Sequence, residues 1–193
     1  YDTTSPKDNK LSQSEIDAVT RINCTGFFGT ADDKKIKSLK GIECFTSLKY
    51  LDCSYNLLTE LDLSSNTALE TLDCDENRLT ELDVSSNMAL ETLECAKNQL
   101  TELDVSNKTA LKTLDCGWNQ LTKLDVSNST ELEYLDFSGN QLTKLDVSKN
   151  AALKKLECHY NQLTELDVSK NPELETLTCN MNQLTELDVS NNT

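Results

Sequence analysis

The chain repeats itself every 21 residues, and this period constrains the fold more than any other feature of the sequence. Seven units begin at a leucine: Leu48, Leu69, Leu90, Leu111, Leu132, Leu153 and Leu174. Numbered from that leucine, the consensus is LxxLxCxxNxLTxLDVSxNxA. One unit has too few apolar side chains to offset the conformational entropy lost when its backbone is ordered. Each unit must therefore stack on its neighbours, which predicts a solenoid.

Both halves of the unit alternate apolar and polar residues, which is typical of strands. The first half reads L-x-C around position 5, and the second half reads LTELDVS with Leu, Leu and Val on one side. Each unit is therefore predicted to be one coil with a strand on each long side. Strands on both sides keep the coil spacing equal, so we also predict weak curvature.

The consensus resembles the leucine-rich repeat, LxxLxLxxNxL, with Cys in place of the third Leu. The resemblance covers about residues 19–193. Within that family the units are similar to internalin J-like cysteine-ladder repeats of bacterial surface proteins, and the opening IKSLKGIECFTSLKYLDCSYN is also internalin-like. The resemblance implies a leucine-rich-repeat right-handed solenoid, of the α/β class but β-rich, with a parallel concave sheet and short convex strands. It also implies an interaction role and an extracellular location, either secreted or anchored at the cell surface.

Two parts are predicted along the chain. Residues 1–18 form an N-terminal cap, and residues 19–193 form the leucine-rich-repeat array. Within the array, the coils are irregular over 19–47, with an insertion in the first coil, and regular over 48–193. The last unit stops one residue short and lacks a polar cap. We therefore expect a C-terminally truncated array whose open edge permits end-to-end self-association.

The cap combines a helix start with a degenerate EF-hand-like segment. In SQSEIDAV, Ser12 is the predicted N-cap of a short helix and Glu15 completes a capping box. The later positions of a calcium loop are matched by Asp8, Leu11, Ser12 and Glu15. Asn9, however, replaces the turn glycine of such loops. We interpret the segment as a decayed loop that now starts a helix. No cofactor is expected, and calcium binding is the alternative.

A ladder of cysteines occupies position 6, and its members are Cys24, Cys53, Cys74, Cys95, Cys116, Phe137, Cys158 and Cys179. Phe137 stands where the period predicts cysteine, and a metal or disulfide site would not accept phenylalanine. The sequence also lacks a CxxC spacing for a metal clamp. We therefore predict small, buried, inert thiols and no metal site, with zinc or redox chemistry as the alternative. Cys44 lies off the ladder and is expected to be a partly exposed free thiol.

Asparagine fills position 9 in every unit, at Asn56, Asn77, Asn98, Asn119, Asn140, Asn161 and Asn182. Its amide is predicted to pair with backbone groups of the adjacent coil, because those groups need partners once they are buried. Two outward acidic columns follow the same period, at position 15 in all units and at position 5 in six. We expect hydrogen bonds from Thr at position 12 and Ser at position 17 to offset the repulsion within the position 15 column. Binding of divalent cations is the alternative.

The variable positions 3, 7 and 8 of the concave strand are the predicted ligand contacts. The residues chosen there are Tyr50, Tyr55, Trp118, Tyr134, His159, Tyr160 and Met181. Exposed Trp and Tyr commonly anchor binding patches. We predict a non-enzymatic scaffold for protein or glycan recognition and adhesion at a bacterial cell surface. A passive spacer that presents another domain is the alternative.

Composition argues against other functions. The formal net charge of −15 disfavours nucleic acid and anionic membranes as partners. No apolar run approaches the ~20 residues that a membrane helix needs, so no membrane insertion is expected. The single histidine, His159, follows Cys158, but successive strand residues point to opposite faces and cannot form a dyad. We therefore expect no catalytic residues and no enzymatic activity.

Overall fold

A computed structural model describes residues 11–27, 29 and 31–192 of the chain. In these residues, eight strands pair in parallel and in chain order within one sheet. The strands are β1 (Arg21–Asn23), β2 (Tyr50–Asp52), β3 (Thr71–Asp73), β4 (Thr92–Glu94), β5 (Thr113–Asp115), β6 (Tyr134–Asp136), β7 (Lys155–Glu157) and β8 (Thr176–Thr178). Neighbouring strands pair with equal unit positions opposite each other, as Leu51 with Leu72. The sequence period is therefore reproduced as a strand spacing of ~4.8 Å.

A short helix, α1 (Gln13–Asp17), precedes the sheet. The hydroxyl of Ser12 accepts the N–H of Glu15 at 3.4 Å, and the Glu15 carboxylate accepts the N–H of Ser12 at 2.8 Å. The predicted capping box is therefore confirmed. Two 3-10 helices, Asp32–Lys34 and Ile42–Cys44, lie in the irregular coils. Asp8 and Asn9, which the calcium-loop comparison needs, lie outside the described residues.

The core consists of apolar columns that run through the stack. Leucines at positions 1, 4 and 11 are fully buried in the first six units. The ladder side chains from Cys53 to Cys158, Phe137 included, are fully buried as well. All eight cysteines are free thiols, and Cys44 is exposed. Burial raises the pKa of the ladder thiols from Cys24 to Cys158, to about 12 at Cys158, so their reactive thiolate is scarce at neutral pH.

The second half of each unit forms no strand in the described part of the chain, so the predicted convex strands are wrong. One backbone hydrogen bond between neighbouring coils recurs there, as from the N–H of Gln99 to the carbonyl of Leu79 at 2.8 Å. In every unit the position 15 aspartate accepts the N–H of the position 17 serine, as Asp83 does from Ser85 at 2.8 Å. This local turn takes the backbone out of the extended ladder geometry.

The same hydrogen bonds offset the repulsion that is expected between the aspartates at position 15. Side-chain and backbone bonds from serine lower the pKa of each position 15 aspartate, as Ser64 does for Asp62. The expected compensation therefore comes from the serine at position 17. The threonine at position 12 takes no part in these bonds.

The position 9 asparagines bridge consecutive coils. The amide nitrogen of Asn77 donates to the carbonyls of Cys53 in the preceding coil and Cys74 in its own, at 3.0 and 3.1 Å. Its amide oxygen accepts the N–H of Leu58 at 2.9 Å. Because each bridge satisfies buried backbone groups of two coils, the column ties the stack together.

A second column of buried amides occupies position 19. It was not predicted from the sequence, and the recurrence of asparagine at this position was the only signal for it. Its members are Asn66, Asn87, Asn150, Asn171 and Asn192, and Lys108 and Ser129 interrupt it. The amide nitrogen of Asn171 donates to the carbonyls of Val147 and Asn150, at 3.0 and 2.8 Å. The amide oxygens of these asparagines are buried without a hydrogen-bond partner among the described residues.

Candidate functional site

The sheet face is defined here as the outward side of the strands together with positions 7 and 8, which follow them. Position 8 has a positive φ in every regular unit, from 52° at Lys97 to 65° at Gly139. This left-handed conformation costs a non-glycine residue roughly 1–2 kcal/mol. The surrounding fold must therefore impose it, and every regular coil except the fifth presents one fixed side chain at the edge of the sheet. These side chains are Tyr55, Glu76, Lys97, Trp118, Tyr160 and Met181, with Gly139 in the fifth unit.

Three of the predicted ligand residues form an aromatic cluster, defined as Trp118, His159 and Tyr160. Trp118 lies 6.4 Å from His159 and 5.7 Å from Tyr160, and His159 lies 5.5 Å from Tyr160, measured between ring centroids. A Cβ at Gly139 would lie 2.7 Å from the indole, so this glycine is what lets Trp118 lie across it. The Ser138 hydroxyl lies 2.8 Å from Nδ1 of His159 and helps to fix the imidazole. Trp118 and Tyr160 are 49% and 48% exposed.

Two other predicted residues lie far from this cluster. Tyr50 and Tyr55 belong to the first regular unit, three coils before Trp118, or roughly 14 Å at the strand spacing. Arg21 covers the ring of Tyr50, with its Cζ 3.4 Å from the ring centroid. Tyr55 is half-buried.

The remaining two predicted ligand residues, Tyr134 and Met181, lie nearer to the aromatic cluster. Tyr134 is half-buried in β6, and the Lys155 ammonium lies 4.9 Å from its ring centroid. Met181 is 61% exposed and follows Tyr160 in the position 8 column. Among the described residues, the ring contacts join only the three members of the aromatic cluster.

A row of carboxylates at position 5 runs beside the aromatic cluster. Its members are Asp52, Asp73, Glu94, Asp115, Asp136 and Glu157, which face one another across successive strand pairs. Asp52 is buried and the others are half-buried, so the row is less exposed than an outward column. In the described part of the chain, Glu157 is the one member with an ion pair, to Lys155.

Burial raises the pKa of several carboxyls on this face, and neighbouring carboxyls add to the effect. The pKa of Asp75, at position 7, rises to about 8 through burial and the charges of Asp73 and Asp115. The pKa of Asp115 rises to about 6 through burial, with Asp136 and Glu94 adding to it. Burial also raises the pKa of Asp73 and of Glu94. The face therefore holds more acidic groups than its surroundings stabilise in charged form.

The structure separates the only histidine from the adjacent cysteine. Cys158 is buried in the core while His159 faces outward, which separates the two groups of a hypothetical dyad. The described residues contain no group of three or more His, Cys, Asp or Glu that could hold a metal ion. A search of the same residues finds no helix able to cross a membrane.

A groove of about 830 Å³ lies elsewhere, between residues 38–43 and positions 12–15 of the first three units. Glu60, Glu81 and Glu102 line it. These glutamates belong to the second half of the coil, so they form an acidic surface that is separate from the sheet face.

Comparisons with known proteins agree with this architecture. The family profiles "Leucine Rich repeats (2 copies)" and "Leucine Rich Repeat" match residues 46–87 and 131–150. A similar solved structure is the functional domain of InlJ from Listeria monocytogenes, which includes a cysteine ladder. It is 42% identical over 94% of this chain, with a TM-score of 0.89, and this chain spans 39% of its length. No curated protein matches the sequence.

Two further structures share the fold. A leucine-rich-repeat protein of Leptospira interrogans is 26% identical, with a TM-score of 0.71 and coverage of 77% of this chain and 41% of its own. Internalin C2 of Listeria monocytogenes is 22% identical, with a TM-score of 0.77 and coverage of 94% and 79%.

A solenoid with one parallel strand per 21-residue coil and an asparagine bridge between coils is a leucine-rich-repeat protein. Its cysteine ladder and its likeness to InlJ identify the subgroup. This chain belongs to the internalin-like leucine-rich-repeat proteins.

Proposed function

We propose that this protein is a non-enzymatic scaffold that recognises a partner protein through its sheet face, outside a bacterial cell and at its surface. The aromatic cluster of Trp118, His159 and Tyr160 is the observation that carries this proposal. Two large aromatic side chains are half-exposed side by side, and Trp and Tyr dominate the binding energy of many interfaces.

The backbone beneath the cluster supports the proposal. Trp118 and Tyr160 each follow a short strand and have a left-handed backbone conformation. The asparagine after each of them donates a hydrogen bond to the carbonyl of the residue before it. Asn119, for example, donates to the carbonyl of Gly117 at 3.2 Å. A side chain that is already held in place loses less conformational entropy on binding. The cluster is therefore suited to act as a rigid anchor.

A passive spacer is the second candidate. Evenly stacked coils, each tied to the next by buried amides, favour it because they make a stiff rod. A spacer would have no need of any particular sheet-face side chain. The two candidates therefore differ in their sensitivity to substitutions in the aromatic cluster.

The test begins with extracellular proteins that bind the immobilised chain, each then purified and measured alone. Trp118→Ala and Tyr160→Ala should each weaken binding about 30-fold or more, as expected for a hot spot worth about 2 kcal/mol. Phe27→Ala is the matched control, because Phe27 is 79% exposed but lies in the first irregular coil. Circular dichroism should show that all three variants stay folded.

Equal affinities for the wild type and both cluster variants would favour the spacer. Purified glycans tested in parallel cover a second class of ligand. Cluster-dependent binding of a glycan without any protein partner would overturn the choice of a protein.

A further inference from the structure

We infer that the groove between the irregular coil and the first three regular units binds a short basic segment of a partner protein that also carries apolar side chains. The groove lies away from the sheet face, so the inference does not depend on the proposed function. Three local features produce the groove: an extra residue in the irregular coil, half-buried leucines, and glutamates at position 13.

The extra residue sets the irregular coil apart from the regular units. Ile36 corresponds to position 11, because its carbonyl accepts the N–H of Leu57 at 2.8 Å, the bond that position 11 makes in the regular units. Leu48 follows Ile36 by twelve residues, whereas eleven residues separate the equivalent leucines of two regular units. Gly41 takes up the difference with a φ of 102°, and a 3-10 helix follows it. Residues 38–43 therefore leave the path of the regular coils and form one wall of the groove.

Leucines at position 14 give the groove an apolar floor. Leu61 and Leu82 line it, together with Leu39 of the irregular coil. Leu39 and Leu61 are half-buried, so part of each side chain remains accessible to a ligand. The volume of about 830 Å³ is in the range of roughly 300–1,000 Å³ that is usual for ligand sites. Apolar side chains of a partner would therefore be buried against these leucines.

The lining of the groove is strongly negative. It contains seven carboxylates and one ammonium, that of Lys40. Glu60, Glu81 and Glu102 are exposed at position 13. No ion pair joins the seven carboxylates to a cation in the part of the chain that the structure describes. A basic segment would therefore supply counter-charges that this surface lacks.

The aspartates at position 15 keep their charge at neutral pH. Hydrogen bonds from serine lower the pKa of Asp62, Asp83 and Asp104, which line the groove. On the sheet face, by contrast, burial raises the pKa of Asp73 and Asp115. The groove is therefore the better of the two acidic surfaces for attracting a cation.

The acidic character of position 13 ends where the groove ends. The groove reaches residue 104 in the third unit. Position 13 is glutamate in the first three units, but it is Lys123 and Lys144 in the next two. The shape and the charge of this surface therefore change at the same coil, and the negative field is concentrated over the leucine floor.

The length of the groove limits the segment that fits it. The irregular coil and three regular units are joined by three coil spacings of ~4.8 Å, or about 14 Å in all, which an extended peptide spans in about four residues at ~3.3 Å each. Alternate side chains of such a peptide point to opposite sides. Apolar residues would face the leucines, while long basic side chains between them reach the carboxylates at the rim.

The test uses a six-residue peptide of alternating lysine and leucine, blocked at both ends and labelled with a fluorophore. Its anisotropy, measured at physiological ionic strength, should show saturable binding to the whole chain. A peptide of alternating glutamine and leucine should not bind, because it has no charge. A peptide of alternating lysine and serine should bind at least fivefold more weakly, because it has no apolar side chain for the floor.

The double variant Glu81→Gln/Glu102→Gln should weaken binding of the lysine–leucine peptide about tenfold, since two exposed ion pairs each contribute a factor of about three. The matched control is Glu165→Gln/Glu186→Gln, which removes the same charge from position 13 of the last two units. The control should change the affinity less than twofold. All four glutamates are exposed, so circular dichroism should show folded proteins.

Leu61→Ser tests the floor and should weaken binding about fivefold or more. Leu124→Ser is its control, because Leu124 is also half-buried at position 14 but lies in the fourth unit, beyond the groove. Urea denaturation of both variants should show similar losses of stability. A difference in peptide affinity between them then reports contact with the floor.

Equal weakening by the two double glutamine variants would overturn the inference, because it would show a general attraction to an acidic chain. Equal affinities for the lysine–leucine and lysine–serine peptides would overturn it as well, since the floor would then take no part. Absence of saturable binding would have the same consequence. Loss of peptide binding in Trp118→Ala would move the peptide to the sheet face and also contradict the inference.

Discussion

Replacing Lys108 with asparagine should stabilise the protein. Lys108 stands at position 19, where five of the seven units have asparagine, and its side chain is 1% exposed. Its ammonium lies 3.8 Å from the Met88 sulfur, and it forms no ion pair with the described residues. Burial lowers the pKa of Lys108, although the charges of Asp104 and Asp83 act in the opposite direction. A charged group is therefore held where water solvates it poorly.

The expected gain follows from the rest of the column. An asparagine at 108 would reach the carbonyls of Val84 and Asn87, as Asn171 reaches its own pair at 3.0 and 2.8 Å. Each such bond contributes about 1 kcal/mol, and removal of the buried ammonium adds to this. The unpaired amide oxygen typical of the column subtracts about 1 kcal/mol. The net gain is about 2 kcal/mol, or a rise in Tm of about 4–8 °C for a chain of this size.

Thermal and urea denaturation, followed by circular dichroism, measure this gain. A lysine whose pKa is lowered in the folded state destabilises the fold fully at neutral pH, where it is charged in both states. The destabilisation fades as the pH rises from the lowered pKa towards 10.5, so the advantage of Lys108→Asn should shrink there. Asn150→Lys, the reverse change at an equivalent position, should destabilise the protein. A Lys108→Asn protein that unfolds at the wild-type temperature would refute the reasoning.

Three further predictions concern the core and the sheet face. The raised pKa of Asp75 means that the folded state holds its proton up to about pH 8, so stability should rise by on the order of 3–4 kcal/mol from pH 8 to pH 5. Asp75→Asn should remove most of this change, and an unchanged pH profile would contradict the assignment. A bulky thiol reagent should modify Cys44 before unfolding and all eight cysteines after it; rapid native labelling of the ladder would argue against a buried column. Cys95→Ser should cost about 1–3 kcal/mol by burying a hydroxyl, whereas a neutral result would contradict its burial.

The sequence predicted the stacked coils because a 21-residue period and one alternating segment leave few other arrangements. The convex strands were predicted by the same logic and are absent from the described residues. LTELDVS alternates as a strand does, but its aspartate bonds the N–H of the serine two residues later, as Asp104 does with Ser106. Alternation describes which side chains are buried, and it does not say whether the backbone has a competing local partner.

The candidate site was also predicted only in part from the sequence. Aromatic residues at variable positions were a usable signal, but the contact of Trp118 with Tyr160 depends on two left-handed bends and on the missing side chain of Gly139. The same signal could not separate Tyr50, which Arg21 covers, from the exposed members. Burial of the position 5 carboxylates was also missed, because period 2 assigns a face and gives no depth.

The central claim is that the sheet face is the recognition surface, and photo-crosslinking of the bound partner tests it most directly. A benzophenone amino acid would replace Lys97, at the edge of the sheet face, or Lys123, which is exposed at position 13 of the next coil. The account predicts covalent adducts with the partner from position 97 and none from position 123. Adducts from position 123 alone, with the partner still bound, would contradict it.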